Sequence, residues 1–154
     1  MTTHVRTVKV ATLVLVATAA AAATTGFSAT RQPGRYEFAS PSGNIVCAMH
    51  TPDSTGQPAA SCEIAEHDWV APPESSYGCS LAAGSNQFRL DQGEPAGFAC
   101  MTQHLPPAFE QPLDYGATRS IGSITCASEP SGMTCADAGT GHYFRVSEES
   151  YDIG

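Results

Sequence analysis

Beyond residue 35 the chain alternates apolar and polar positions in short runs of period two, the pattern of half-buried β-strands. "NIVCAM" puts Ile45, Cys47 and Met49 on one face and Val46, Ala48 and His50 on the other, and "SITCAS" groups Ile124 with Cys126 in the same way. "RYEF" pairs Tyr36 with Phe38, and "HYFRV" sets Phe144 and Val146 opposite Tyr143 and Arg145. Gly and Pro turns separate the runs. No segment after the N-terminal apolar run sustains a helical period; a turn or two near "EIAEHDW" and the "SEESYDI" tail are the best helical candidates.

Two of the runs read as one hairpin plan used twice. "SPSGNIVCAM" and "GSITCAS" are each entered by a turn and followed by a polar loop, "HTPDSTGQPA" or the shorter "EPSG", and then by a second cysteine in "ASCEI" or "MTCAD". Six cysteines, Cys47, Cys62, Cys79, Cys100, Cys126 and Cys135, allow fifteen pairings, among which sequence alone does not choose. The expectation is local pairing: Cys47 with Cys62, Cys126 with Cys135, and Cys79 with Cys100. Between the last two, "QFRLDQGEPAGFAC" suggests a third hairpin through Phe88, Leu90 and Phe98. Each closed loop is worth roughly 3 kcal/mol on the chain-entropy model. A zinc site on these thiols would need close C-x-x-C pairs, and the spacings are far wider. The expected fold is all-β with little helix: a small disulfide-stapled sandwich, barrel or trefoil-like domain built from three hairpins.

The N-terminus reads differently. Arg6 and Lys9 precede "VATLVLVATAAAAA", an apolar run too short to span a membrane comfortably, and Ala21 and Ala23 supply the small residues that cleavage requires. Residues 1–23 are therefore expected to be a signal peptide, with a flexible mature N-terminus over 24–35 and one β domain over 36–154. No cysteine follows the apolar run to carry a lipid anchor, so the expected product is secreted, without stable membrane insertion after cleavage.

Charge narrows the function. The mature part would carry five arginines, no lysine and all fifteen carboxylates, a formal charge of −10. Such a surface repels nucleic acid and anionic lipid. The missing lysine removes Schiff-base chemistry, a P-loop lysine and any Ser-Lys nucleophile.

The series "FASPSGNIVC", "SCEI", Trp69, "LDYG", "GSITCASEPSGMTC" and "TGHYF", with Ser147 and Tyr151 late in the chain, resembles a family of small secreted actinobacterial proteins with six cysteines, classed as a domain of unknown function. The resemblance spans Phe38 to Tyr151 and implies export and disulfides. It brings no catalytic residue. The chain departs from the family pattern at Tyr143, where that pattern has glycine, and at Glu148, where it has arginine.

Two groups of residues are candidates for chemistry. His142 follows "GTG" on the strand face of Phe144 and Val146, and can be read as a general base or as a structural histidine at a strand entrance. The structural reading is favoured, because no nucleophile lies nearby in sequence, G-x-S-x-G is absent, and the orientation of Asp137, the nearest carboxylate, is open. Glu63, Glu66, His67, Asp68 and Trp69 form the second group, since carboxylates beside an indole can hold a sugar or a cation; the favoured reading is a solvated turn with Trp69 folded into the core. His50 and His104 stand at no metal-ligand spacing, and neither metal nor cofactor is expected. The sequence thus favours a non-enzymatic secreted module that presents loops, such as "HTPDSTGQPA" and "APPESSYG", to a protein or cell-envelope partner. A small hydrolase using His142 or the Glu63 to Trp69 group is the alternative.

Overall fold

The alternating runs fold as ten strands in two antiparallel five-stranded sheets. The computed structural model describes residues 34–73, 86–99, 104–105 and 112–154. The expected signal peptide, nearly all of the expected flexible segment, and Cys79 and Cys100 lie outside the described residues. The first sheet runs in chain order through β1 (Tyr36–Ala39), β2 (Ile45–His50), β3 (Ala59–Ile64), β4 (Gln87–Asp91) and β5 (Gly97–Phe98). The second runs in the same way through β6 (Thr118–Ile121), β7 (Ile124–Glu129), β8 (Gly132–Asp137), β9 (Tyr143–Val146) and β10 (Tyr151–Ile153).

Sequence and register together show one plan used twice. In the first sheet Cys47 pairs with Cys62, Cys62 with Phe88, and Phe88 with Phe98. In the second Cys126 pairs with Cys135, Cys135 with Phe144, and Phe144 with Ile153. Directly opposed cysteines close a bridge across each central hairpin, Cys47–Cys62 and Cys126–Cys135, as the alternation predicts. The third hairpin, β4–β5, is present and extends the first sheet.

The two apolar faces meet in a sandwich with one core, in which Phe38, Met49, Phe88, Ile124, Met133 and Phe144 are all buried. Like positions touch across the middle. Cys62 Sγ lies 3.8 Å from Cys135 Sγ, and the Phe88 and Phe144 rings stack with centroids 5.6 Å apart. Contact between equivalent residues is what a twofold relation between the sheets produces, and such a relation exchanges the two ends of the sandwich.

Two helical expectations are corrected. The "SEESYDI" tail makes a turn, in which the Ser147 hydroxyl donates to the Ser150 carbonyl at 3.2 Å, and then strand β10. Tyr151 and Ile153 pack on the core and Asp152 faces out, a period of two that three residues express too briefly to read from sequence. "EIAEHDW" leaves β3 at Ile64 and continues without a helix; the Asn44 side chain holds it by accepting from Glu66 N at 2.8 Å and donating to Glu66 O at 2.9 Å.

Candidate functional site

The twofold relation makes the two ends of the sandwich counterparts, yet they differ. One end is sealed by a buried carboxylate. Asp137, 1% exposed, ends β8 on the inward face and accepts four hydrogen bonds. Oδ1 takes the Ser123 hydroxyl at 2.5 Å and the Gly139 amide at 2.9 Å, while Oδ2 takes the Gly93 amide at 2.8 Å and the Thr140 hydroxyl at 3.3 Å. Gly93 belongs to the β4–β5 turn, so this carboxylate ties one sheet to the other. These bonds, the Ser123 hydroxyl first and the Gly93 and Gly139 amides next, lower its pKa from 3.8 to about 2 against the opposing effect of burial. Gln92 and Pro58 complete the seal: Gln92 N donates to Pro58 O at 2.8 Å, and Gln92 Oε1 accepts from Ser123 N at 3.2 Å. Gly122 beneath them has φ +57°, and a Cβ there would stand 2.7 Å from Pro58 Cγ, so only glycine fits.

The other end is open. Register places Glu148 where the sealed end has Gln92, Ser131 in place of Pro58, and Gly43 and Asn44 in place of Gly122 and Ser123. With no proline and glutamine to fill it, this end carries a groove of about 180 Å³ lined by Ser40, Asn44, Tyr115, Glu129, Glu148 and Glu149 among others. Glu149 is held below the usual carboxylate range by its own backbone amide and by the Ser147 hydroxyl. Tyr115 is 47% exposed and Val70 89% exposed, and these are the large apolar residues that stand exposed among the described residues. Tyr115 lines the groove, and Val70 follows two residues after Asp68, which meets the groove turn. The Asp68 amide donates to Glu148 O at 2.9 Å, which fixes the strand exit carrying Val70 beside the groove turn.

The sequence candidates do not converge. His142 stands at the sealed end, half-buried, with its carbonyl accepting from Asp137 N at 2.8 Å and its amide donating to Thr140 Oγ1 at 3.2 Å. Among the described residues its imidazole makes no hydrogen bond to Asp137 or to Ser123. A serine of the β6–β7 turn and an aspartate and a histidine that flank the β8–β9 turn thus meet at the sealed end with no proton relay among the described residues, and the carboxylate's acceptor sites go to structural donors.

The second group splits across the fold. Glu63 lies on the outer face of the first sheet, where its carboxylate accepts from Leu105 N at 2.7 Å and Gln87 Nε2 at 3.0 Å and pairs with His104. It anchors residues 104–105 over that face, on the connection from β5 to Leu113, whose amide donates to Ala39 O on the opposite edge strand at 2.9 Å. Trp69 instead caps the core: its indole donates to Ser147 O at 2.9 Å, meets Tyr151 edge-on at 4.8 Å, and stacks on His67 at 3.7 Å. Glu66 and Asp68 are exposed. His50 lies on the outer face with its pKa lowered, by burial first and then by Arg35 and Arg89. Among the described residues no group of three His, Cys, Asp or Glu can hold a metal ion.

Asp137 and the groove are the features that sequence reasoning missed. The alternation already held the signal for Asp137, because Met133 and Cys135 point inward and the next residue in that series is Asp137. No family model, no curated protein and no solved structure matches the chain.

Proposed function

We propose that the protein is a secreted, non-enzymatic binding module whose recognition surface is the open end of the sandwich. The observation that carries this reading is the unequal treatment of two equivalent ends. Gln92, Pro58 and Asp137 fill one, whereas the other keeps a polar groove and the exposed Tyr115 and Val70. Exposed aromatic and aliphatic groups beside polar ones are what a protein interface uses. Glu129, Glu148 and Glu149, in a chain of formal charge −8, fit a partner surface that is cationic rather than anionic. Buried bridges in both hairpins favour an oxidising compartment and agree with the resemblance to small secreted actinobacterial proteins with six cysteines.

The hydrolase alternative gains no support from the described residues, where the His142 ring makes no hydrogen bond to Asp137 or Ser123 and where Glu63 and Trp69 face different environments. The test is retention of purified protein on cell envelopes. Tyr115→Ser and Glu148→Gln should each weaken retention by roughly tenfold, the effect of losing a central contact of about 1–2 kcal/mol. Asp53→Asn, in the β2–β3 loop at the sealed end, should leave it unchanged. Retention indifferent to the first two variants, or lost with the third, rejects the open end as the recognition surface.

A further inference from the structure

The two disulfides of the described residues are in contact with each other. Cys62 Sγ and Cys135 Sγ, one from each sheet, are 3.8 Å apart and wholly buried, and they are equivalent residues of the two repeats. We propose that the two hairpin bridges form a single exchange unit, in which loss of the Cys47–Cys62 bridge moves the remaining bond onto Cys62 and Cys135 and so links the two sheets covalently.

The step balances as thiol–disulfide exchange. A small dithiol reduces Cys47–Cys62 by giving up two electrons and two protons, and becomes a cyclic disulfide itself. The Cys62 thiol, once deprotonated, attacks Cys135 Sγ; the Cys126–Cys135 bond breaks, and Cys126 leaves as a thiolate that takes up a proton. One bridge is consumed and one changes place. No diffusion is needed, because attacking and attacked sulfurs already touch, and such placement replaces a bimolecular encounter. The product suits the architecture, since a disulfide between the facing sheets of a sandwich is an established arrangement in immunoglobulin domains. Reduction of one hairpin then leaves the sheets tied at the middle of the core, where Phe88 stacks on Phe144.

The test is partial reduction of the wild-type protein with dithiothreitol in the absence of denaturant, followed by rapid alkylation and non-reducing peptide mapping. Among molecules that keep one bridge within Cys47, Cys62, Cys126 and Cys135, whatever the state of Cys79 and Cys100, the non-native pairing Cys62–Cys135 should exceed Cys47–Cys135 and Cys62–Cys126 by about tenfold or more, as expected for sulfurs held in contact. Native bridges alone, the non-native pairings in equal amounts, or passage straight to the fully reduced chain would each overturn the proposal. The Cys47→Ser variant provides a second readout. Folded material should contain Cys62–Cys135 alongside Cys126–Cys135, and Cys126–Cys135 with no Cys62–Cys135, beside an alkylatable Cys62, would contradict it.

Discussion

Phe88 and Phe144 stack at the centre of the sandwich with ring centroids 5.6 Å apart, and each stands directly opposite the second cysteine of its own hairpin bridge. Both are fully buried. Phe88→Ala and Phe144→Ala should each cost about 3–5 kcal/mol by lost transfer energy and a residual cavity. Because the rings touch, the double variant should cost less than the sum of the two. Urea unfolding of the four proteins measures both quantities, and strict additivity would deny the contact.

The Asp137 carboxylate makes stability depend on pH in a defined sense. Its folded pKa lies near 2, below the ordinary 3.8 of the unfolded chain, so its contribution is fully present above pH 3.8 and is lost as pH falls through about 2. Asp137→Asn should lower stability at neutral pH and flatten the difference between variant and wild type across that acid window. Denaturant midpoints measured at several pH values for both proteins check this. A difference that stays constant down to pH 2 would mean that the carboxylate is not held as the structure shows.

His142→Ala should cost no more than about 1 kcal/mol, the scale of one net hydrogen bond, because His142 is only half-buried and its bonds to Asp137 N and Thr140 Oγ1 run through its backbone and survive the substitution. Thermal melts beside a hydrolase substrate panel check the point. A hydrolytic activity that disappears in the variant at an unchanged melting temperature would favour the enzyme reading over the binding module.

Trp69, the single tryptophan, reports on the open end. Trp69→Phe keeps an aromatic ring but loses the bond to Ser147 O, and should cost about 1 kcal/mol for that bond together with some packing. Trp69→Ala should cost about 3–5 kcal/mol. Unfolding followed by circular dichroism, which does not depend on the indole, measures both; equal effects of the two variants would remove Trp69 from the core cap.

The sequence made the strands and the two hairpin bridges legible because both follow from local alternation: Ile45, Cys47 and Met49, or Phe144 and Val146, declare a buried face within a few residues. What it hid is long-range. Glu63 is spent on Leu105, a residue forty-two positions away. The seal joins Gly93 to Asp137 across the two sheets, and the groove exists because Glu148 and Ser131 replace Gln92 and Pro58, a comparison that has no meaning until the repeats are aligned in space. The cluster from Glu63 to Trp69 is contiguous in sequence yet divides between an outer sheet face and a core cap, because the chain leaves β3 within it.

The most direct measurement is carboxyl footprinting of the wild-type protein bound to cell envelopes, using a carbodiimide and a small amine and reading each labelled residue by mass spectrometry. Glu129, Glu148 and Glu149 line the open groove, while the exposed Asp53 and Glu94 stand in the loops of the sealed end. Recognition through the open end predicts that binding protects the three glutamates from labelling and leaves Asp53 and Glu94 as reactive as in the free protein. Protection centred on Asp53 and Glu94, or no protection of any carboxylate, would contradict it.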